Sequence, residues 1–231
     1  MKQFFLAGLS LLMLSTTLKA QNTYIQGGVN FANISKTDNG ETNNNNALTS
    51  FNAGIMHQFG LSSMIDLETG LLLTGKGAKA ETRFNGDNDY VKTKFNPLYI
   101  ELPLNLMVKF PLGSTSNVFV HAGPYAAVGV GGKTKTESRI LGISSSSEQS
   151  IDFSEDDPTT SEQEGASYDR LKRFDYGLNF GGGLTLNRFI IKANYGLGLA
   201  KINSMQVDNG ANDKNKFRTV SLSVGIPLGG W

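Results

Sequence analysis

The sequence predicts an all-β protein, an eight-stranded antiparallel transmembrane β-barrel preceded by a signal peptide. Three observations support this fold class: an apolar N-terminal leader, eight segments in which apolar and polar residues alternate, and connections that are alternately long and short. The 231 residues suffice for one barrel domain. The absence of cysteine excludes disulfides and thiolate sites, and the net charge of +1 gives no reason to expect a nucleic-acid partner.

Residues 1–20 have the pattern of a secretory signal peptide. Lys2 precedes an apolar run, and Ala20 is a small residue at the expected cleavage position. The uncharged run contains 16 residues, fewer than the roughly 20 that a membrane-spanning helix needs. We therefore expect cleavage after Ala20 and an outer-membrane β-barrel domain over residues 21–231. A retained helical anchor is the alternative.

The clearest strand covers residues 98–110. Its even-numbered positions are all apolar, whereas its odd-numbered positions include Glu101, Asn105 and Lys109. Because successive side chains of a strand point to opposite faces, this segment has one apolar face and one mixed polar face. At about 3.3 Å per residue, it is long enough to cross an outer membrane at a steep tilt.

Seven other segments show the same alternation and bring the number of predicted strands to eight. They lie at 24–34, 48–59, 64–75, 117–130, 172–185, 188–200 and around 220–226. Short turns follow at 60–63, 111–116 and 186–187, and longer connections at 35–47, 76–97, 131–171 and 201–216.

This alternation of lengths is typical of outer-membrane barrels, in which the long loops are extracellular and the short turns are periplasmic. An even number of strands then leaves both termini in the periplasm. The connection over 131–171 contains nine acidic and four basic residues and little apolar content. We expect this connection to be a mobile loop.

The placement of charge distinguishes a membrane barrel from a soluble one. A soluble eight-stranded barrel has an apolar cavity and a polar exterior, whereas a bilayer requires an apolar exterior. All strand charges except Lys172 are assigned to the polar phase. We therefore expect outer-membrane lipid on the apolar phase and, inside, the acidic residues Asp66, Glu68, Glu101 and Asp175 paired with Lys109, Arg173, Lys192 and Arg218.

Aromatic residues mark both ends of the predicted apolar face, as two girdles do in membrane barrels. The set next to the short turns is Phe59, Phe110 and Phe189, and the set next to the long loops is Phe51, Phe174 and Tyr176. Eight strands enclose a space that side chains fill, so we expect a structural lumen without a solute pore. A proton or ion path through the paired charges is the alternative.

Several segments resemble the PorT-like family of small outer-membrane β-barrels that is abundant in Bacteroidota. They are GGVNFANI (27–34), LETGLLLTGKGAK (67–79), YIELPLNLMVKF (99–110), VFVHAGPYAAVGVGGK (118–133) and TVSLSVGIPL (219–228). The resemblance implies an outer-membrane barrel without transferable catalytic residues. PorT itself takes part in type IX secretion, and most similar proteins have no assigned role. Barrels commonly end their last strand on an aromatic residue, whereas in this chain PLGG separates the last predicted strand from Trp231. We expect Trp231 to be the signal that the barrel-assembly machinery recognises.

Two motifs resemble nucleotide or lipase chemistry without meeting its requirements. Residues 70–77 differ by one residue from a phosphate-binding loop, because Gly77 replaces the hydroxyl residue that holds Mg²⁺. His57 and His121 are the only histidines, and neither has an obvious serine and acid partner for acyl transfer. We expect both histidines to be hydrogen-bonded wall residues.

Two other sequence features have simple structural interpretations. The acidic clusters at 87–89 and 155–157 contain oxygen ligands that bind Ca²⁺ weakly, but solvated loop charge is the favoured interpretation. The glycine triplet at 181–183 indicates a place where the wall curves or where lumen side chains need space.

We expect a monomeric, non-enzymatic barrel with no catalytic residue, cofactor or metal site. The favoured function is structural or surface-interaction, with the long loops as the contact region. The alternatives are an accessory component of a type IX-like secretion system and an outer-membrane lipid-modifying enzyme. Expected partners are outer-membrane lipid, the barrel-assembly machinery, and surface or secretion-system proteins.

Overall fold

The computed structural model describes residues 22–38, 41–44, 47–84, 89–113, 116–154, 170–200, 202 and 216–229. None of the described residues lies in an α-helix. The strands are β1 (Thr23–Asp38), β2 (Glu41–Asn44), β3 (Leu48–Gly60), β4 (Ile65–Gly75), β5 (Ala78–Phe84), β6 (Asp89–Pro111), β7 (Ser116–Ile140), β8 (Ile143–Ser150), β9 (Asp152–Ser154), β10 (Arg170–Lys172), β11 (Phe174–Leu186), β12 (Phe189–Gly198) and β13 (Lys216–Pro227). The predicted signal peptide lies outside the described residues.

Eight of these strands form a closed antiparallel ring in the order β1, β3, β4, β6, β7, β11, β12, β13. β13 pairs back onto β1 from Tyr24 opposite Pro227 to Ser35 opposite Lys216. Closure gives each ring strand two hydrogen-bonded neighbours, so the backbone polar groups are satisfied without water. The predicted eight-stranded antiparallel barrel is confirmed.

The two ends of the ring carry different connections. One end, termed the terminal end, carries the start of β1, the end of β13 and the short connections that follow β3, β6 and β11. In the turn between β11 and β12, Asn187 has a φ of 33°, in the left-handed region that asparagine tolerates better than most residues. The other end, termed the loop end, carries the four longer connections.

Ring residues alternate between a buried lumen and an exposed exterior. On β6, for example, the side chain of Leu104 is 45% exposed and that of Asn105 only 2%. We term the exposed exterior the apolar belt; it includes Ile25, Val29, Ile55, Leu71, Ile100, Leu102, Leu106, Val120, Val128, Ile191, Leu222 and Val224. Soluble monomers rarely expose an apolar surface of this extent. The predicted inward and outward phases are confirmed except at Arg218, and the soluble-barrel alternative is wrong.

Aromatic residues lie at both rims of the apolar belt. Phe110 and Phe189 are exposed at the terminal end, and Phe51, Phe174 and Tyr176 are exposed at the loop end. Exposed rings at these two heights are typical of the aromatic girdles that lie at membrane–water interfaces.

Two ring strands extend beyond the barrel at the loop end. The first part of β6 pairs with β5, and the last part of β7 pairs with β8, so the four strands form a sheet outside the ring. We term it the protruding sheet. The predicted loops at 35–47, 76–97 and 131–171 are therefore wrong where the end of β1, β2, the strands of this sheet, β9 and β10 lie. Residues 39–40, 45–46, 85–88 and 155–169 lie outside the described residues. Lysine and threonine alternate here, and polar faces of this kind lack the apolar contrast that predicts a strand.

Arg218 does not share the inward phase that the sequence analysis assigned to it. It lies on the same even-numbered phase of β13 as Val220 and Leu222, which are exposed. Its guanidinium donates hydrogen bonds to the backbone oxygens of Gly198 (2.9 Å) and Phe217 (3.0 Å). At the loop end of its strand, a long arginine side chain keeps its charge near the membrane surface.

Lumen-facing glycines of β11 make room for rings on β7. Gly181 pairs with His121, and Gly183 pairs with Phe119. A Cβ at Gly181 would lie 2.4 Å from the imidazole, and one at Gly183 would lie 2.6 Å from the phenyl ring. The expectation that the glycine triplet provides space for lumen side chains is confirmed.

Candidate functional site: the lumen and the protruding sheet

Two buried ionic clusters are found among the described residues, and the first is centred on Glu68, which is completely buried in the lumen. Its carboxylate accepts hydrogen bonds from the Tyr24 hydroxyl (2.6 Å), Asn105 Nδ2 (3.2 Å) and Gln58 Nε2 (3.4 Å), and it pairs with Lys192. The four partners come from β1, β6, β3 and β12. Because a buried charge is costly unless it is paired and hydrogen-bonded, this cluster joins strands across the lumen.

The second cluster is centred on Lys76, whose side chain is 3% exposed. Lys76 Nζ lies 2.7 Å from Asp175 Oδ2 and 2.9 Å from Glu101 Oε2. The Tyr125 hydroxyl donates to Asp175 at 3.1 Å, and the Tyr125 ring centroid lies 4.1 Å from Nζ. One cation therefore neutralises two buried carboxylates and contacts an aromatic face.

Lys76 is a lumen residue that the sequence analysis missed, because it was assigned to a loop. The inward phase of β4, which carries Asp66, Glu68 and Thr74, continues to position 76 and could have identified it. This position also explains the resemblance of residues 70–77 to a phosphate-binding loop. The lysine neutralises carboxylates of the barrel wall, and a strand precedes it in place of the required loop.

The predicted charge pairs are found in part. Lys109 Nζ lies 2.7 Å from Asp66 Oδ2. Glu68 pairs with Lys192, as its inward phase predicts. Glu101 and Asp175 pair with Lys76, which was not among the four basic residues that the sequence offered as partners.

Amides and hydroxyls occupy the wall beside these clusters. Asn30 Nδ2 donates to Thr74 Oγ1 (2.8 Å), and Asn52 Nδ2 donates to Asn30 Oδ1 (2.7 Å). Asn52 Oδ1 in turn accepts from Ser223 Oγ (2.9 Å) and Gln26 Nε2 (3.1 Å). A connected buried network of this kind makes the interior rigid.

The described lumen contains little free space. A cavity of about 40 Å³ lies among polar side chains that include Asn52, Glu101 and Asn194. Since one water needs roughly 10–15 Å³, this cavity has room for a few waters. An apolar cluster lies towards the loop end, formed by Tyr99, Tyr125, Ala127, Ile151, Leu171, Ile202 and Phe217, with Phe153 against it. The arrangement is that of a filled interior.

The two histidines lie apart, in different surroundings. His57 Nδ1 lies 2.7 Å from Thr23 Oγ1, and its ring packs edge-to-face against Phe59. His121 is buried in the lumen, and neither of its ring nitrogens has a hydrogen-bond partner among the described residues. His57 thus fits the expectation of a hydrogen-bonded wall residue, whereas for His121 that expectation is wrong.

Acidic residues do not assemble into a metal site in the part of the chain that the structure describes. Of the two clusters that the sequence raised for Ca²⁺, only Asp89 is described, and it accepts a hydrogen bond from the Leu141 backbone N–H at 2.8 Å. Residues 87–88 and 155–157 lie outside the described residues.

The protruding sheet carries several exposed ion pairs. Glu81 lies between Lys79 (2.8 Å) and Arg83 (2.7 Å), and hydrogen bonds from these two cations lower its pKa to about 2. Lys135 lies 2.8 Å from Glu137, and this hydrogen bond lowers the pKa of Glu137 and raises that of Lys135. The pKa of Glu148 is lowered by its hydrogen bond from Lys133 at 2.5 Å. These carboxylates are therefore charged at neutral pH.

A family model agrees with this architecture. Residues 20–204 match the family model described as outer membrane protein beta-barrel domain. The chain is similar to Ail, the attachment invasion locus protein of Yersinia pestis, at 16% identity, covering 89% of this chain and 97% of that chain with a TM-score of 0.39. It is also similar to Neisserial surface protein A, at 11% identity, with 89% and 96% covered and a TM-score of 0.40. No curated protein matches.

Proposed function

The chain belongs to the outer membrane protein beta-barrel domain family, and from this premise we propose that it is a structural, surface-interaction protein whose contact region is the protruding sheet. In this proposal the loop end is extracellular, and both termini are periplasmic. The lumen then serves to stabilise the barrel. The partners are the surrounding lipid, the barrel-assembly machinery that inserts the chain, and molecules at the cell surface.

The contrast between the two ends of the barrel carries the proposal. Three short connections join ring strands at the terminal end, whereas a four-stranded sheet extends from the loop end. Membrane barrels of this kind place short turns in the periplasm and longer segments outside. In the described lumen, side chains surround a cavity of about 40 Å³, which supports a filled barrel interior in place of a solute route. The surface of the sheet is therefore the part of the molecule best suited to interaction.

The histidine environments support a non-enzymatic role. Acyl transfer requires a nucleophile, a histidine that activates it and a group that orients the histidine. Among the described residues, His57 contacts Thr23 and Phe59, and His121 has no hydrogen-bond partner. Neither arrangement provides an oriented serine and histidine pair.

The resemblance to PorT-like barrels raised an accessory role in type IX secretion as the alternative. The most specific resembling residues, Tyr99, Glu101 and Tyr125, are inward-facing and surround Lys76. Their contacts stabilise the interior of a barrel, which any member of such a family needs. They favour a shared fold over a shared role in secretion.

Cysteine labelling tests the proposed orientation, since the chain contains no native cysteine. Ser145→Cys places a thiol on the exposed strand β8, and Ser63→Cys places one in an exposed turn at the terminal end. A membrane-impermeant maleimide should label Ser145→Cys on intact cells, and it should label Ser63→Cys only after the outer membrane is opened. Labelling with the opposite preference would overturn the proposal.

Cross-linking from the same positions tests the role. A cross-linker attached at Ser145→Cys on intact cells should capture surface molecules, and native gels of mildly solubilised membranes should show the barrel outside any large envelope complex. Stable co-migration with a multiprotein complex, with cross-links from Ser63→Cys to its components, would instead favour the secretion-accessory alternative.

A further inference from the structure

The pairing register sorts the charges of the protruding sheet onto one face. Directly opposed residues of antiparallel strands share a face. Lys79, Lys94 and Lys135 form one such row across β5, β6 and β7. We term this face the cationic face; in the part of the chain that the structure describes, its basic residues are Lys79, Arg83, Lys92, Lys94, Lys133, Lys135 and Arg139.

The opposite face of the same strands has a different composition. Its rows include Ala80, Thr93, Thr136 and Ser147, followed by Thr82, Val91, Ser138 and Ser145. Asp89, at the tip, is the charged residue on this side among the described residues. The segregation is therefore between a charged face and a hydroxyl-rich face, and solubility alone does not require it.

The cationic face continues the outward phase of the barrel. On β6, the lipid-facing positions run from Phe110 to Leu98, and the same phase continues through Asn96 to Lys94 and Lys92. Lys94 lies four residues beyond Leu98, or about 13 Å along the strand. The interfacial layer of one leaflet is about 5–8 Å thick. Strand tilt shortens this distance along the membrane normal, and a lysine side chain can extend back towards the membrane. The row of Lys79, Lys94 and Lys135 therefore reaches lipid headgroups.

Positive charge on this face exceeds the negative charge that neutralises it. Among the described residues, its carboxylates are Glu81, Glu137 and Glu148, against seven basic side chains. Within the described residues, Lys92 and Arg139 have no carboxylate at ion-pair distance. Both line a depression of about 600 Å³, together with the basic residues Lys79 and Arg83, Tyr90, and the carboxylates Glu81 and Asp89. An anion seated there would meet several cations at once.

We propose that the cationic face binds the phosphate groups of the glycolipid in the outer leaflet, immediately above the apolar belt. Phosphate monoesters are multivalent anions that lysine and arginine bind through charge-assisted hydrogen bonds. Basic clusters directly beside a membrane-embedded segment are a general device for holding anionic headgroups. The location of this lipid rests on the proposed extracellular position of the sheet.

The experiment uses the mature chain folded in a neutral detergent and titrated with bisphosphorylated lipid A. Native mass spectrometry measures the fraction of protein that carries lipid. The expected result is saturable binding that is at least tenfold weaker for dephosphorylated lipid A. Lys92→Gln/Arg139→Gln should raise the Kd for bisphosphorylated lipid A at least tenfold, whereas Thr93→Gln/Ser138→Gln, on the opposite face of the same strands, should leave it within twofold.

Folding is checked for every variant by comparing boiled and unboiled samples on a denaturing gel. If Lys92→Gln/Arg139→Gln fails to fold, Lys94→Gln/Lys135→Gln in the neighbouring row provides the same test. Equal binding of phosphorylated and dephosphorylated lipid A would overturn the proposal. An unchanged Kd in a folded cationic-face variant would also overturn it, as would binding of soluble dextran sulfate without binding of lipid A.

A failure of the lipid titration can be distinguished from a failure of the cysteine-labelling test of orientation. In detergent, lipid binding does not depend on the side of the membrane that the sheet occupies. A negative titration therefore rejects the lipid site alone, and inverted cysteine labelling rejects the proposed function alone.

Discussion

Replacement of Lys76 by methionine gives the sharpest test of how the lumen is stabilised. Lys76 is 3% exposed and has one carboxylate oxygen of Asp175 at 2.7 Å and one of Glu101 at 2.9 Å. Methionine retains most of the side-chain length and leaves two carboxylates buried without a counter-charge. Removal of one partner from a buried ion pair costs about 3–5 kcal/mol. We expect a loss of that size in the free energy of unfolding, read as a lower urea midpoint for the barrel in lipid vesicles.

A compensating variant separates lost charge from lost packing. Asp175 would keep its hydrogen bond from Tyr125, and Glu101 would keep its hydrogen bond from Asn179. Lys76→Met/Glu101→Gln/Asp175→Asn therefore removes the unpaired charges while retaining polar partners, and it should recover most of the lost stability. Lys79→Met, which breaks a partly exposed ion pair on the protruding sheet, should have a much smaller effect. If Lys76→Met unfolded at the wild-type urea concentration, the role assigned to Lys76 would be refuted.

Three other predictions address the belt, the sheet and the wall. Leu104→Arg places a charge on the lipid face at a cost of about 2–4 kcal/mol. It should therefore lower the folded fraction of unboiled samples on a denaturing gel, whereas Leu104→Phe should not. Equal folded fractions for the two variants would contradict the contact of Leu104 with lipid. The Glu81 pKa of about 2 lies below its ordinary value of 4.5, so the stabilisation from Lys79 and Arg83 is fully present above pH 4.5 and is lost as the pH falls towards 2. An NMR titration of the Glu81 carboxyl should show a midpoint near 2 that rises in Lys79→Met/Arg83→Met, and an unmoved midpoint would contradict that cause. A Cβ at Gly54 would lie 2.0 Å from the Leu71 backbone oxygen, whereas a Cβ at Gly27 meets nothing within 4 Å. Gly54→Ala should therefore destabilise the barrel by about 1–3 kcal/mol, and Gly27→Ala should leave its stability unchanged. Urea unfolding of the two variants checks this ranking.

The phases of the ring strands were predictable because lipid and lumen impose opposite demands on neighbouring residues. On β6, Leu104 contacts the exterior, and Asn105 reaches Glu68 inside. A slip of one residue would put charges into hydrocarbon and leucines into a polar interior. This strong penalty leaves a period-two pattern that can be read directly from the sequence.

The protruding sheet was not predictable in the same way, since both of its faces are polar. Lys92, Thr93 and Lys94 alternate in chemistry but not in hydropathy, and a solvated loop has the same composition. The strand identity of this segment depends on pairing with β5 and β7, which the hydropathy pattern does not reveal. Cross-strand partners decide β-structure where burial does not.

For Lys76 and Arg218, counting the alternating positions along the strand predicts the direction of the side chain better than local composition does. Lys76 is a charged residue next to a glycine-rich turn, and composition alone places it in a loop. It directly follows β4 and continues the even-numbered, inward phase of that strand. Arg218 is also even-numbered, but in β13 that phase is the outward one. Composition indicates where a membrane-spanning segment ends. Whether a residue near that end faces the lumen or the exterior depends instead on its position in the alternation of the strand.

Spin labels at single cysteines along β6 test the contact between the apolar belt and lipid most directly. The variants replace residues 102 to 107 one at a time in a chain that has no other cysteine. In lipid vesicles, labels at the even positions 102, 104 and 106 should collide readily with membrane-dissolved oxygen, whereas labels at the odd positions 103, 105 and 107 should be shielded from it. Reversed accessibility, or none that alternates, would contradict the assignment of a lipid-facing exterior and a polar lumen.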